Sequence, residues 1–184
     1  MRTVLLTPRM RLREFTTADI DLLTELDADP EVMRYINGGE PTPRSAVEHE
    51  TLPEFLADYR NTPGFGHFAA VDQADGTFIG WFALTARPQR AAELGYRLRK
   101  PYWGCGLATE GARALVRRGF TTLGRLRIEA TTMAVNTGSR KVLERCGFRL
   151  VRTEFGRYPD PIPGAGHGDV DYVIERTAWS GPDR

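Results

Sequence analysis

Two glycines, Gly104 and Gly106, stand directly before a stretch that otherwise reads as a good helix, in the run from Trp103 to Gly111, WGCGLATEG. Glycine weakens helices, so its placement there needs a reason. A strand from Glu93 to Leu98, a glycine turn and a helix starting near Leu107 would leave several backbone N–H groups at a helix N-terminus without partners in the helix. Such amides form an anion site. Glycine lets phosphate oxygens approach the main chain and takes the dihedrals that make successive amides converge. A loop that merely turns the chain is the competing reading. Two familiar phosphate loops do not fit: no Lys-Ser or Lys-Thr follows the glycines, and the third glycine of a dinucleotide fingerprint would fall on Thr109.

The totals narrow the chemistry further. With 184 residues, one domain over residues 1–179 and a short tail over 180–184 is the expected organisation. A net charge of +1 from 25 basic and 24 acidic side chains offers no broad field for nucleic acid. Cys105 and Cys146 are far apart, and His49, His67 and His167 are scattered, so no metal is expected. No apolar run approaches the ~18 residues of a membrane span, and Arg2, Arg9 and Arg11 surround an N-terminus without a signal-peptide core. These features point to a cytoplasmic protein with reduced thiols.

The elements that must position the glycine turn follow from periodicity. RMRLREF (Arg9 to Phe15) alternates as a half-buried strand, and TTADIDLLTEL reads as a helix capped by Thr16 or Thr17. DPEVMRY suggests a short helix opened by Pro30, NGGEPTP a turn, and PRSAVEHETLPEFLADY two helical pieces broken at Pro53. FGHFAAV, TFIGWFALT and AAELGYRL form an antiparallel meander. A helix over Leu107 to Leu123, a strand RLRIEATT, a helix in NTGSRKVLERCGF ending at Gly147, and a strand FRLVRTEF follow. GRYPDPIPGAGHGD is a loop, and DVDYVIE closes the sheet. The class is α+β, an α/β layered fold with one mostly antiparallel sheet and helices on both faces.

These residues resemble the GNAT superfamily of acetyl-CoA-dependent N-acyltransferases, in its RimJ/RimL-like branch. The [QRW]-x-x-G-x-[GA] signature is matched by Trp103, Gly104, Cys105, Gly106, Leu107 and Ala108. N-x-x-S-x-x-x-x-E-[KR]-x-G-F is matched through Asn136, Ser139, Glu144, Arg145, Gly147 and Phe148. The opening TPRMRLREFTTADIDLL and the ending YVIERTAW look like the same branch, so the resemblance covers nearly the whole chain.

The resemblance implies an acetyl-CoA cosubstrate, with its diphosphate held by the amides from Trp103 through Cys105 and Gly106 to Thr109. It also implies a sheet splayed by a bulge in the strand from Leu94 to Leu98, where the main chain of Tyr96, Arg97 and Leu98 pairs with the pantetheine and polarises the thioester. Glu93 is implied as the base that takes a proton from the amine, directly or through water; a strand-face carboxylate paired with a nearby arginine is the alternative. Glu129, Glu154 and Asp169 stand in reserve. Ser139 is implied as the acid that protonates the leaving sulfur, and Asn136, one turn earlier, either contacts pantetheine or caps its helix. Cys105 departs from the basic or polar residue that relatives often carry there, which removes one favourable charge; a thiol at a helix N-terminus is open to oxidation. Cys146 reads as packing. Arg99, Lys100 and Arg140 are further phosphate candidates.

The acceptor is framed by the segment MRYINGGEPTP and the loop from Gly156 to Asp169, with Tyr35, Tyr158 and His167 as candidate contacts. The resemblance implies an amine, either a protein N-terminal α-amine or a small molecule; monomer and homodimer both fit. A non-catalytic acyl-CoA-binding sensor is the alternative.

Overall fold

The computed structural model describes residues 2–156 and 159–181. Tyr158 and the end of the tail, Pro182 to Arg184, lie outside the described residues.

Eight strands form one sheet in the order β1-β2-β3-β4-β5-β6-β8-β7. They are β1 (Thr3–Leu6), β2 (Met10–Glu14), β3 (Gly66–Asp72), β4 (Phe78–Arg87), β5 (Ala91–Leu98), β6 (Arg127–Met133), β7 (Arg149–Glu154) and β8 (Asp169–Glu175). All neighbours are antiparallel except β5 and β6. The last strand does not close the sheet at its margin. Apolar Val170, Tyr172, Val173 and Ile174 are all buried, and burial on both faces draws β8 inside, between β6 and the exposed edge strand β7.

The helices are α1 (Ile20–Asp27), α2 (Pro30–Met33), α3 (Arg44–Ala46), α4 (Leu52–Asn61), α5 (Leu107–Thr121) and α6 (Thr137–Arg145). Pro53 does not split the segment from Arg44 to Asn61. A π turn over Val47–Thr51 joins α3 to α4, with the Leu52 amide donating to the Val47 carbonyl. The wider turn makes room for a proline ring and its missing N–H without ending the helix.

Strand alternation divides the core in two. Leu12, Phe82, Leu84, Ile128 and Tyr172 point to the face covered by α5, where Leu115 and Phe120 meet them. Phe15, Ala69, Val71 and Phe78 point to the opposite face, against Leu23, Leu26, Leu52 and Phe55 of α1 and α4. α5 lies close on the sheet because Gly111 has no side chain: a Cβ there would come within 2.3 Å of the Phe82 ring.

One charge pair is built into the second core. Arg13, on the face of β2 away from Leu12, donates to both carboxylate oxygens of Asp19 at 2.8 and 2.7 Å. Asp19 also accepts from the Thr16 amide at 2.7 Å, which caps the turn leading into α1. Burial pushes the Asp19 carboxyl up, but the Arg13 and Thr16 hydrogen bonds outweigh it and hold the group below its ordinary value. Asp19→Asn is therefore expected to cost about 3 to 5 kcal/mol by leaving Arg13 buried and uncompensated. Urea unfolding at neutral pH checks this, and the difference from wild type should shrink as the pH falls through the depressed folded-state pKa of Asp19.

Candidate active site

β5 and β6 run side by side for only three residue pairs, Ala91↔Arg127, Ala92↔Ile128 and Glu93↔Glu129. Beyond Glu93, β5 stays with β4 as far as Leu98, and β6 stays with β8 as far as Met133. The strands part, and a cleft of about 750 Å³ opens between Leu94–Leu98 on one wall and Ala130–Met133 on the other. That volume suits a sizeable ligand. No bulge in β5 causes the parting: the β4–β5 register runs unshifted from Gly80↔Leu98 to Arg87↔Ala91. The nearest register shift lies on the other side of β4, between Ala70 and Val71 of β3. Each strand simply follows its antiparallel partner, which holds it over a longer ladder than the short parallel one.

The glycine turn sits at this cleft. Trp103, Gly104, Gly106, Ala108 and Thr109 line it, whereas Leu107 turns into the core and Cys105 faces solvent. Gly104 and Gly106 have φ of +75° and +86°, a region that side chains disfavour. A Cβ on Gly104 would meet nothing within 4 Å, so the space in front of the turn is open. The first i→i−4 bond of α5 runs from the Glu110 amide to the Gly106 carbonyl at 3.0 Å, which leaves the amides of Leu107, Ala108 and Thr109 ahead of the ladder. A cradle that a Cβ would fill, at a helix start, fits the diphosphate of a coenzyme.

α6 supplies the opposite edge. Asn136 caps it, its side-chain oxygen accepting from the Ser139 amide at 3.1 Å. Asn136 also lines the cleft, as does Ser139. The Ser139 Oγ lies 3.0 Å from the Tyr96 hydroxyl, which also donates to the Ser139 carbonyl at 3.1 Å. Sequence reasoning gave Tyr96 a main-chain role and missed this contact. Alternation along β5 held the signal, since Leu94, Tyr96 and Leu98 must share the α5 face. Burial lifts the Tyr96 phenol well above its ordinary pKa, so it keeps its proton.

The carboxylates divide. Glu93 and Glu129 are neighbours at the apex where the strands part, but neither is among the cleft-lining residues. Glu93 is ion-paired with Arg87, and Glu129 is ion-paired with Arg127 at 2.7 Å. Glu154 pairs with Arg152 at 2.8 Å on the exposed edge strand. Asp169 lines the cleft at the start of β8. His67 packs 3.8 Å from the Phe55 ring, and burial pushes its pKa down to about 4, so it is neutral at working pH.

The basic candidates do not gather at the cleft. Arg140 donates to the Tyr172 hydroxyl at 3.1 Å and to the Ala134 carbonyl at 3.0 Å. Arg99 and Lys100 pair with Glu25 and Glu31, tying the segment after β5 to α1 and α2. Lys141 and Arg145 line the cleft instead, one residue along from Arg140 and one turn later on α6. Cys146 is buried at the contact with α5, and burial pushes its thiol up to about 11. Tyr35 lines the cleft with Ile36, Trp81 and Arg97. The two irregular segments meet, Gly38 lying against Ile162. His167 is exposed in a short 3₁₀ turn, Ala165–His167, and is not a lining residue. Among the described residues there is no cluster of metal-ligating side chains and no helix long and apolar enough to cross a membrane.

Among the described residues the sheet parts at its one parallel junction, with a glycine turn and a helix start at the gap, an arrangement that suits an acyltransferase taking its acyl group from coenzyme A. The chain belongs to the acetyltransferase (GNAT) domain family, whose model matches residues 9–149. It is 37% identical over 177 residues to the FsC-acetyl coenzyme A-N(2)-transacetylase of Aspergillus fumigatus, covering 91% of this chain and 71% of that one. It is 32% identical over 148 residues to the N-acetyltransferase p20 of Bacillus licheniformis, covering 79% and 82%. The solved structure of RimL, a ribosomal L7/L12 α-N-protein acetyltransferase in complex with coenzyme A, superposes with a TM-score of 0.77 at 16% identity, covering 95% and 98%. This chain is an acetyl-CoA-dependent N-acyltransferase with a GNAT fold.

Gly106→Val is expected to weaken coenzyme A binding more than tenfold, while the strain of a side chain at positive φ costs about 2 kcal/mol of stability. Calorimetric titration of the folded variant checks this; wild-type affinity would remove the diphosphate from this turn.

Proposed function

We propose that this chain acetylates a primary amine, carried by a small molecule or by a protein N-terminus. The observation that carries the reading is the single cleft joining the glycine turn, the parted strands and the Ser139–Tyr96 pair. The Aspergillus relative is named for transfer to N(2), and RimL for transfer to a protein α-amine, which supports an amine acceptor here.

In this reading Trp103 to Thr109 hold the diphosphate, and the main chain of Tyr96, Arg97 and Leu98 aligns the pantetheine arm in the parted sheet. Acetyl-CoA supplies the activated acyl group. Ser139 stands at the cleft wall with its hydroxyl against Tyr96, whose own proton is held on the Ser139 carbonyl, so the proton that Ser139 gives to the leaving sulfur is restored from water. Tyr96 thereby positions the Ser139 hydroxyl, and Asn136 fixes the pair by capping α6.

Glu93 is the base in this scheme. Its carboxylate is held by Arg87 beside the apex rather than in the cleft, so the proton reaches it through water. An α-amine with a pKa of about 7.7 to 8.0 needs only a modest pull. The amine enters from the face of α1 and α2, where Tyr35, Ile36 and Trp81 offer an apolar lining and Arg97 is anchored to Asp27 at 2.6 Å.

A thiol-release assay with acetyl-CoA and a panel of small amines and of peptides with free and blocked N-termini tests the activity and sorts the acceptors. Ser139→Ala is expected to lower kcat by about 10- to 100-fold, and Tyr96→Phe by about tenfold, with the KM for acetyl-CoA little changed. Glu93→Gln should lower kcat/KM by about 100-fold and flatten its acid limb, against a few-fold for Asp169→Asn. The reverse order would move the base to Asp169.

A further inference from the structure

A carboxylate in the first turn of a helix that holds a diphosphate is out of place, because it competes for the same N-terminal amides and repels the ligand. Glu110 is such a residue, the fourth of α5. It is only 16% exposed and stays ionised: burial raises its pKa, but hydrogen bonds from Thr7 and Arg9 outweigh it and bring the group below its ordinary value. Among the described residues its side-chain hydrogen bonds are with the turn between β1 and β2. Oε1 accepts from the Thr7 hydroxyl at 2.6 Å and from the Arg9 amide at 2.9 Å, and Oε2 accepts from Arg9 Nε at 2.7 Å.

The guanidinium fixed in this way reaches back to the glycine turn. Arg9 Nη1 donates to the Cys105 carbonyl at 2.9 Å. Arg9 Nη2 lies 3.5 Å from the point where a Cβ on Gly106 would stand. In a trans peptide the C=O and N–H point in opposite directions. Holding the Cys105 oxygen against Arg9 therefore aims the Gly106 amide away from Arg9. Gly104 and Gly106 both sit at positive φ, and glycine has no intrinsic preference that would keep that peptide in one orientation.

We propose that Arg9 and Glu110 form a lock that orients the Cys105–Gly106 peptide for diphosphate binding, so that the turn before β2 is part of the coenzyme site. Both are positioning residues. The charge missing at Cys105 is supplied by Arg9 from another element, and Glu110 consumes much of that charge to hold the guanidinium in place. The lock rests on the placement of the diphosphate at Gly104 to Thr109.

The sign of the Glu110 effect separates this lock from simple charge attraction. Removing a negative charge beside a diphosphate should tighten binding, whereas breaking the lock should weaken it. Calorimetric Kd values for coenzyme A are compared across wild type, Arg9→Gln, Arg9→Lys, Glu110→Gln, the Arg9→Gln/Glu110→Gln double variant and Gly106→Val, with the thermal midpoint of each ligand-free protein. Glu110→Gln and Arg9→Gln are each expected to raise Kd about tenfold, and the double variant no further than the worse single within about twofold, as coupled residues do. Arg9→Lys should remain several-fold weak, because one ammonium cannot hold both Cys105 and Glu110 in the fork of a guanidinium. Should Glu110→Gln not fold, Glu110→Asp keeps the charge, shortens the reach, and is expected to weaken binding likewise. Tighter binding by Glu110→Gln, full recovery in Arg9→Lys, or additive losses would each overturn the lock. Undiminished binding by Gly106→Val would instead overturn the placement of the diphosphate.

Discussion

The short parallel ladder between β5 and β6 is the constraint on which the site depends. Three pairs hold the strands together, and past Glu93↔Glu129 the backbone donors and acceptors on the facing edges have no strand to pair with. A row of unpaired main-chain groups inside a sheet is costly unless something else satisfies it. An extended ligand with amide groups of its own can do so as a strand would, which makes the gap a binding site by geometry before any side chain is considered. The rest of the molecule keeps the gap open.

Two cores on opposite faces do that work. On the face of α5, Leu94 and Leu98 of β5 and Ile128 and Ala130 of β6 are all anchored in one apolar cluster, so neither strand can drift across the gap. The absent side chain at Gly111 lets α5 rest on Phe82, which brings its N-terminus and the glycine turn to the cleft mouth. On the other face, Arg97 is held by buried Asp27 and lies 5.2 Å over the Trp81 ring, which fixes α1 to β5 beside the cleft.

Charge is used inside the molecule more than around it. Arg13 with Asp19, Arg97 with Asp27, Arg9 with Glu110 and Arg87 with Glu93 each tie one element to another or stiffen a strand junction. This explains why near-neutral totals say little about the cleft: basic residues selected by position in the chain, such as Arg99, Lys100 and Arg140, turn out to be committed to partners within the fold.

The sequence by itself determined the strands and helices whose periodicity is strong, the glycine turn at a helix start, and the family signature carried by Trp103 to Ala108 and Asn136 to Phe148. Those are local: period-two and period-3.6 burial, positive-φ glycines and caps depend on neighbours within one turn or one strand. β1 was invisible because its four residues are half exposed and alternate weakly, and the π turn before Pro53 because proline marks a disturbance without saying how the chain absorbs it. The inward position of β8, the unbulged parting of β5 from β6, the Tyr96–Ser139 contact and the reach of Arg9 to Cys105 were decided only in three dimensions. Each joins residues between 40 and about 100 positions apart or depends on which strand wins a partner, and no spacing rule along the chain encodes that choice.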